Sequence, residues 1–231
     1  MQVEFTIVDK KYKVPDLVTC SQFEKAMVWN IDVDNELKPF VSQLLDVPLA
    51  DLNRLDDEVF GIICGICISR ISQTDGEPHQ EIEGHSLLDF SQLTFGNLID
   101  IDTYMTHSVT QNVSRLASII YNCEEQVAAD WPINTVWPAI VSLSHWRNAV
   151  YKEYDEFFEL STADAEQDGG SVNIELMWYQ TCLVLADYKF LKIHKAVQRP
   201  YKEALNFLTW KKSEVQKQKL EMLKQKNKLR K

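Results

Sequence analysis

The chain predicts a mainly α fold: a single helical domain with an N-terminal β-hairpin and a long, projecting, basic C-terminal helix. Three observations carry that expectation. Only seven Gly and seven Pro occur in 231 residues, too few turn formers for an all-β fold. Apolar residues recur at helical spacing through most of the chain, and period-two alternation is confined to its start. Ten Phe, eight Tyr and six Trp within a 45% hydrophobic composition supply core-building side chains that disordered chains lack. At this length a sizeable core can be buried.

The elements follow in order. Residues 2–8 alternate, placing Val3, Phe5 and Ile7 on one face; Asp9-Lys10-Lys11 reads as a turn and Tyr12 to Val14 as the return strand. This hairpin, about 2–14, needs covering neighbours because a lone two-stranded ribbon is marginal in water. Thr19 with Gln22 has capping-box spacing and opens a helix with Phe23, Met27 and Trp29 facing inward. Pro39 and Pro48 punctuate short helices at 35–46 and 48–54. Asp56 or Asp57 then opens Val59–Ile71, apolar nearly all round and therefore expected to be buried on most sides. Residues 72–86 form a polar loop with a short extended piece. Helices follow at 96–106 (Leu98, Ile101, Met105 inward) and 112–121 (Val113, Leu116, Ile119, Ile120), then an irregular joint from Trp131-Pro132 to Trp137-Pro138. A long helix takes 138–160, a second loop 161–172, and helices 173–186 and 189–198. Pro200 suits the first turn of a final helix running to Lys231, about 45 Å if fully formed. The resulting organisation is an acidic, mostly helical body (1–200) and an extended basic helix (201–231).

Several function classes lose support. No run approaches eighteen apolar residues, so a membrane span is not expected. Met1 leads straight into alternating residues, without the pattern of a secretory signal. Five cysteines, an odd number set mostly in apolar stretches, read as reduced thiols. Cys64-Gly-Ile-Cys67 has redox or zinc spacing, but no second pair completes a zinc site and the flanking isoleucines favour core thiols. The five histidines (79, 85, 107, 145, 194) follow no metal-ligand pattern, and no nucleophile elbow, Walker loop or dinucleotide fingerprint occurs.

Two acidic clusters merit weighing. Asp164 to Glu175 places acids at relative positions 1, 3, 5 and 12 with Gly169 at 6, mimicking a helix–loop–helix calcium site. It departs at Glu166 and at Ser171, where an Asp or Asn and an aliphatic are usual, and no second copy exists. A solvated acidic loop with Glu175 at a helix start is the plainer reading. Asp100-Ile-Asp102 sits in a helix, where paired carboxylates do acid–base or metal work only if further groups converge. No catalytic, cofactor or metal residue is assigned.

Charge is the sharpest signal. Residues 211–231 hold nine of the twenty-four Lys and Arg but two of the thirty-four acids, a net +7 against −17 for residues 1–210. Leu208, Val215, Met222 and Leu229 recur every seven residues, flanked by Lys211, Lys212, Lys219 and Lys226. A self-zipped coiled coil wants a second apolar position per heptad, which is mostly Lys or Gln here. These eight residues therefore read as a narrow seam that docks on a protein partner, with lysines steering the encounter. Phosphate contacts to a nucleic acid rank second, since only Arg230 is a guanidinium and no aromatic follows Trp210. A membrane surface ranks last because the seam is thin.

Two stretches carry a resemblance. Leu88-Asp-Phe-Ser-Gln-Leu-Thr-Phe-Gly-Asn-Leu-Ile-Asp-Ile-Asp-Thr-Tyr104 resembles the L-T-x-G-x-x-I-D-x-D helix opening of proteins encoded around tailed-bacteriophage tail and baseplate genes. Ala186-Asp-Tyr-Lys, through Val197-Gln-Arg-Pro-Tyr201, to Leu205-Asn-Phe-Leu-Thr-Trp-Lys-Lys212 is similar to their closing helices and lysine-rich extension. The resemblance implies a non-enzymatic tail or baseplate assembly chaperone or minor virion structural protein. Its partners would be other phage structural proteins or further copies of itself. It would act in the host cytoplasm during assembly, with retention in the virion left open. The alternatives are a nucleic-acid-associated virion or core protein, and a calcium-binding protein or carboxylate–metal enzyme built on Asp100, Asp102 and residues 164–175.

Overall fold

The computed structural model describes residues 3–7, 9–72, 76–158 and 174–228, and they are mainly α-helical. They group into two compact units, Met1–Leu88 with Tyr104–Ser144 and Asp89–Thr103 with His145–Lys231. Of the three chain boundaries between them, that at Leu88–Asp89 lies just before a 3-10 turn and the other two fall inside helices, α5 (Phe95–Ser108) and α8 (Ile133–Glu153).

The first unit opens with the expected hairpin, β1 (Val3–Ile7) antiparallel to β2 (Lys10–Val14). Val3, Phe5 and Ile7 do share the covered face. The turn comes earlier than Asp9-Lys10-Lys11, because Lys10 and Lys11 already pair with Ile7 and Thr6. Asp9 accepts the left-handed backbone (φ 64°) that so tight a reversal needs. The ribbon is held by Asp51 of α3 (Leu49–Leu52), which accepts from the Tyr12 hydroxyl at 2.6 Å and from Lys10 Nζ at 3.2 Å.

Helix α1 (Cys20–Ala26) starts on the predicted capping box: Gln22 N–H donates to Thr19 Oγ1 at 3.2 Å and Thr19 N–H to Gln22 Oε1 at 3.0 Å. Phe23 is buried edge-on to Trp137, whereas Met27 and Trp29 lie beyond the helix and are half-buried. Helix α2 (Asp34–Leu45) runs through Pro39 and stops at Asp46, left-handed at φ 53°. Helix α4 (Asp57–Ser72) corrects an expectation. It is apolar on every side, yet only the face of Phe60, Ile63, Cys64, Cys67 and Ile71 is covered, and Val59, Gly61, Ile62 and Gly65 are exposed.

The loop expected at 72–86 contains a small hairpin, β3 (Glu81–Ile82) with β4 (His85–Ser86). Glu83 and Gly84 both have positive φ, the backbone of a two-residue primed turn. Trp131 Nε1 donates to Glu83 at 3.0 Å and the Tyr121 hydroxyl to the His79 carbonyl at 2.8 Å, pinning this hairpin near α6 (Val113–Ile120) and α7 (Glu125–Ala129). The joint expected over 131–138 is ordered instead. Cys20 N–H donates to the Trp131 carbonyl and Ile133 N–H to that of Val18, and α8 begins at once and continues through Pro138. Pro132 suits that start, its carbonyl accepting from Thr135 and Val136 N–H, and burial of Trp131, Ile133 and Val136 accompanies a helix that runs on through Pro138.

In the second unit a 3-10 turn (Phe90–Gln92) leads into α5, followed by the end of α8, α9 (Ile174–Leu185), a 3-10 turn (Phe190–Lys192), α10 (Ile193–Val197) and α11 (Tyr201–Lys228). Two backbone bonds, Phe95 N–H to the Arg199 carbonyl and Tyr201 N–H to that of Leu93, tie the starts of α5 and α11 together. Gly96 is needed there, since a Cβ would lie 3.2 Å from the Val197 carbonyl oxygen. Around this joint Phe95, Leu98, Ile101, Trp178, Tyr201, Ala204, Leu205 and Leu208 form the unit's core. The first two turns of α11 thus supply its buried positions, and the side chains from Val215 to Gln225 are solvent-facing.

Candidate interaction surface

The carboxylates singled out by sequence resolve differently. Asp102 is wholly buried and is one end of a polar cluster. Its Oδ1 accepts from Arg147 Nε at 2.7 Å, from Arg147 Nη2, and from the Tyr151 hydroxyl at 2.6 Å; Oδ2 accepts from Trp178 Nε1 at 2.8 Å. Arg147 also lies 4.6 Å over the Tyr151 ring, which stacks on Phe158 at 3.9 Å. Burial first, and then the Asp102 charge, push the Tyr151 phenol up, so it stays a neutral donor. Four donors on one carboxylate leave it acting as a structural anchor in place of a ligand. Asp100 does not join it: this side chain is solvent-exposed, and partial desolvation by its surroundings raises its pKa. Residues 164–173 of the calcium-like stretch lie outside the described residues, while Glu175 stands in the first turn of α9. Among the described residues no group of three or more His, Cys, Asp and Glu side chains is placed to hold a metal ion.

Cys64 and Cys67 are buried free thiols, as their apolar flanks implied. Burial pushes the Cys67 thiol up to about 12, the opposite of what a reactive thiolate needs. Likewise, none of the described helices is long and apolar enough to cross a membrane.

The seam residues on α11 divide into two groups. Leu208, expected at a partner interface, is corrected to core: it is 4% exposed within its own unit. Lys212 is half-committed as well, since Nζ donates to the Phe157 carbonyl at 2.7 Å and sits 5.4 Å over that ring. Lys211, Val215, Lys219 and Met222 are exposed, Met222 at 61%. Helical spacing puts Lys211 and Lys219 one turn either side of Val215, on the same face. Lys226 stands in the last turns of the helix, and Leu229 lies outside the described residues. Every side chain from Val215 to Gln225 is exposed, including Leu220 and Leu223 off the main stripe.

Sequence reading missed a second feature of this unit. Helix α9 ends in a left-handed cap: Tyr188 N–H donates to the Leu183 carbonyl at 2.7 Å and Asp187 N–H to that of Val184 at 3.1 Å. Glycine usually takes this conformation, yet Asp187 (φ 55°) and Tyr188 (φ 56°) both adopt it here. The sharp reversal exposes Tyr188, Phe190 and Leu191, the last at 83%. Lys189 donates to Asp187 at 2.8 Å; this contact, with Lys192 and Lys211 nearby, holds the Asp187 carboxyl below the usual range. Lys211 thus places the basic helix beside this knuckle. Phe207 and Trp210, in ring contact at 5.8 Å, are the exposed aromatics of α11 itself.

Compared with protein-family models, curated proteins and solved structures, the chain matches none.

Proposed function

We propose that this protein is a non-enzymatic morphogenesis protein of a tailed bacteriophage, a tail or baseplate assembly chaperone or minor structural subunit, that binds other phage structural proteins through α11. The phage setting rests on the resemblance of 88–104 and 186–212. The binding mode rests on one observation: eleven consecutive exposed residues, Val215 to Gln225, in a helix with an apolar line between lysines. A helical segment of this length is marginal in water without tertiary cover. A partner surface that is acidic and offers an apolar groove would supply that cover, with Val215 and Met222 buried and Lys211, Lys219 and Lys226 setting register.

Lys212 belongs to the body, so the informative truncation ends the chain after Glu214. It should leave a folded protein that no longer enters its native complex. Retained complex formation would refute the mechanism. The same lysines could contact phosphates, and salt separates the two readings: nucleic-acid binding weakens log-linearly with salt in proportion to the phosphates neutralised, whereas an apolar seam resists.

A further inference from the structure

Besides the exposed apolar residues of α11, two apolar surfaces, one on each unit, stand uncovered by the described residues, and their surroundings differ in charge. The first lies along α4, where Gly61 and Gly65 floor a groove of about 350 Å³ walled by Val3, Ile62 and Ile66. Ile62 is 60% exposed, and a Cβ added to either glycine would meet nothing within 4 Å. No internal close approach therefore accounts for two helix-weakening glycines on an exposed face. Arg70, the charged residue of the lining, is paired with Asp16 at 3.1 Å, and exposed Asp56, Asp57 and Glu58 stand at the start of the same helix. The second surface is the knuckle of Tyr188, Phe190 and Leu191, flanked by Lys189, Lys192, Lys195 and Lys211.

We propose that the knuckle of one copy seats in the α4 groove of a second copy. Phe190 and Leu191 are the buried anchors, and the glycines let them reach the helix backbone. Lysines around the knuckle then face the acidic start of α4, a complementarity that sets orientation. The protein thus carries both halves of the contact. Because the two patches differ, the association is head-to-tail and leaves one knuckle and one groove free at the ends of every chain of copies, unless a ring closes. It does not use the outer half of α11 and stands apart from the reading of that helix.

Sedimentation velocity on the purified full chain over a range of concentrations tests this. The average mass should rise with concentration. Phe190→Ser/Leu191→Ser and Gly65→Leu should each reduce self-association at least tenfold. Both change exposed positions, and circular dichroism should show an unchanged fold; Gly65→Leu also favours helix. Mixing the two variants is decisive, since one keeps its groove and the other its knuckle. The mixture should give a one-to-one dimer that grows no further. The chain ending after Glu214 should still self-associate. A monomer at every concentration, association indifferent to both variants, failure of the mixture to pair, or loss of association on that truncation would each overturn the proposal.

Discussion

Replacing Asp102 is the perturbation whose size the structure defines most clearly. Asp102→Ala removes the acceptor of four hydrogen bonds, two from Arg147 and one each from Tyr151 and Trp178. The Arg147 side chain is only 21% exposed, so its charge cannot simply turn to water. Breaking one side of a buried pair costs about 3–5 kcal/mol, mostly from the charge left behind. Asp102→Asn keeps the shape, but its amide group would point a donor at either Trp178 Nε1 or the Arg147 and Tyr151 donors. Its cost should be nearer 2–3 kcal/mol, in the range for unsatisfied buried donors. Urea unfolding followed by tryptophan fluorescence reads both, and a double-mutant cycle with Arg147→Met isolates the pair. The double variant should recover part of the loss, because it no longer buries an unpaired cation. A cost below about 1 kcal/mol for Asp102→Ala would show that the cluster is not the anchor argued here.

Burial raises the Tyr121 phenol from 10 to about 12, so the folded state favours the protonated form. Its contribution to stability is therefore complete below pH 10 and is lost as pH climbs towards 12, and Tyr121→Phe should show a shallower alkaline decline in thermal melts. Gly65→Ala should stabilise the protein by about 0.5–1 kcal/mol, since the position is helical, exposed and open to a Cβ; a destabilised variant in urea unfolding would contradict that geometry. Met222→Asp should leave stability within about 0.5 kcal/mol while abolishing entry into the native complex, measured by co-purification from the source particle.

Elements whose signals are local were legible in the sequence. Alternation gave the hairpin, Thr19 and Gln22 gave the start of α1, and the uninterrupted run after Pro200 gave α11. What escaped depends on tertiary choice. The apolar circumference of α4 says nothing about which faces are covered, and Val59 and Ile62 turned out exposed. Leu208 shares its seven-residue spacing with Val215 and Met222, yet the joint between Leu93 and Tyr201 draws the first turns of α11 into the core. Arg147, Tyr151 and Trp178 carry no spacing that relates them to Asp102, because convergence across 45 to 76 residues is a property of packing. The knuckle at 187–191 was hidden for another reason: Asp and Tyr are not the residues that usually announce a left-handed cap.

The central claim is that the outer half of α11 finds its cover on another protein. Amide hydrogen exchange of residues 215–225 in the isolated protein and in the complex purified from its native source tests it most directly. The segment should exchange rapidly when the protein is alone and become strongly protected in the complex. Equal, fast exchange in both states would show that this lysine-flanked helix meets nothing there.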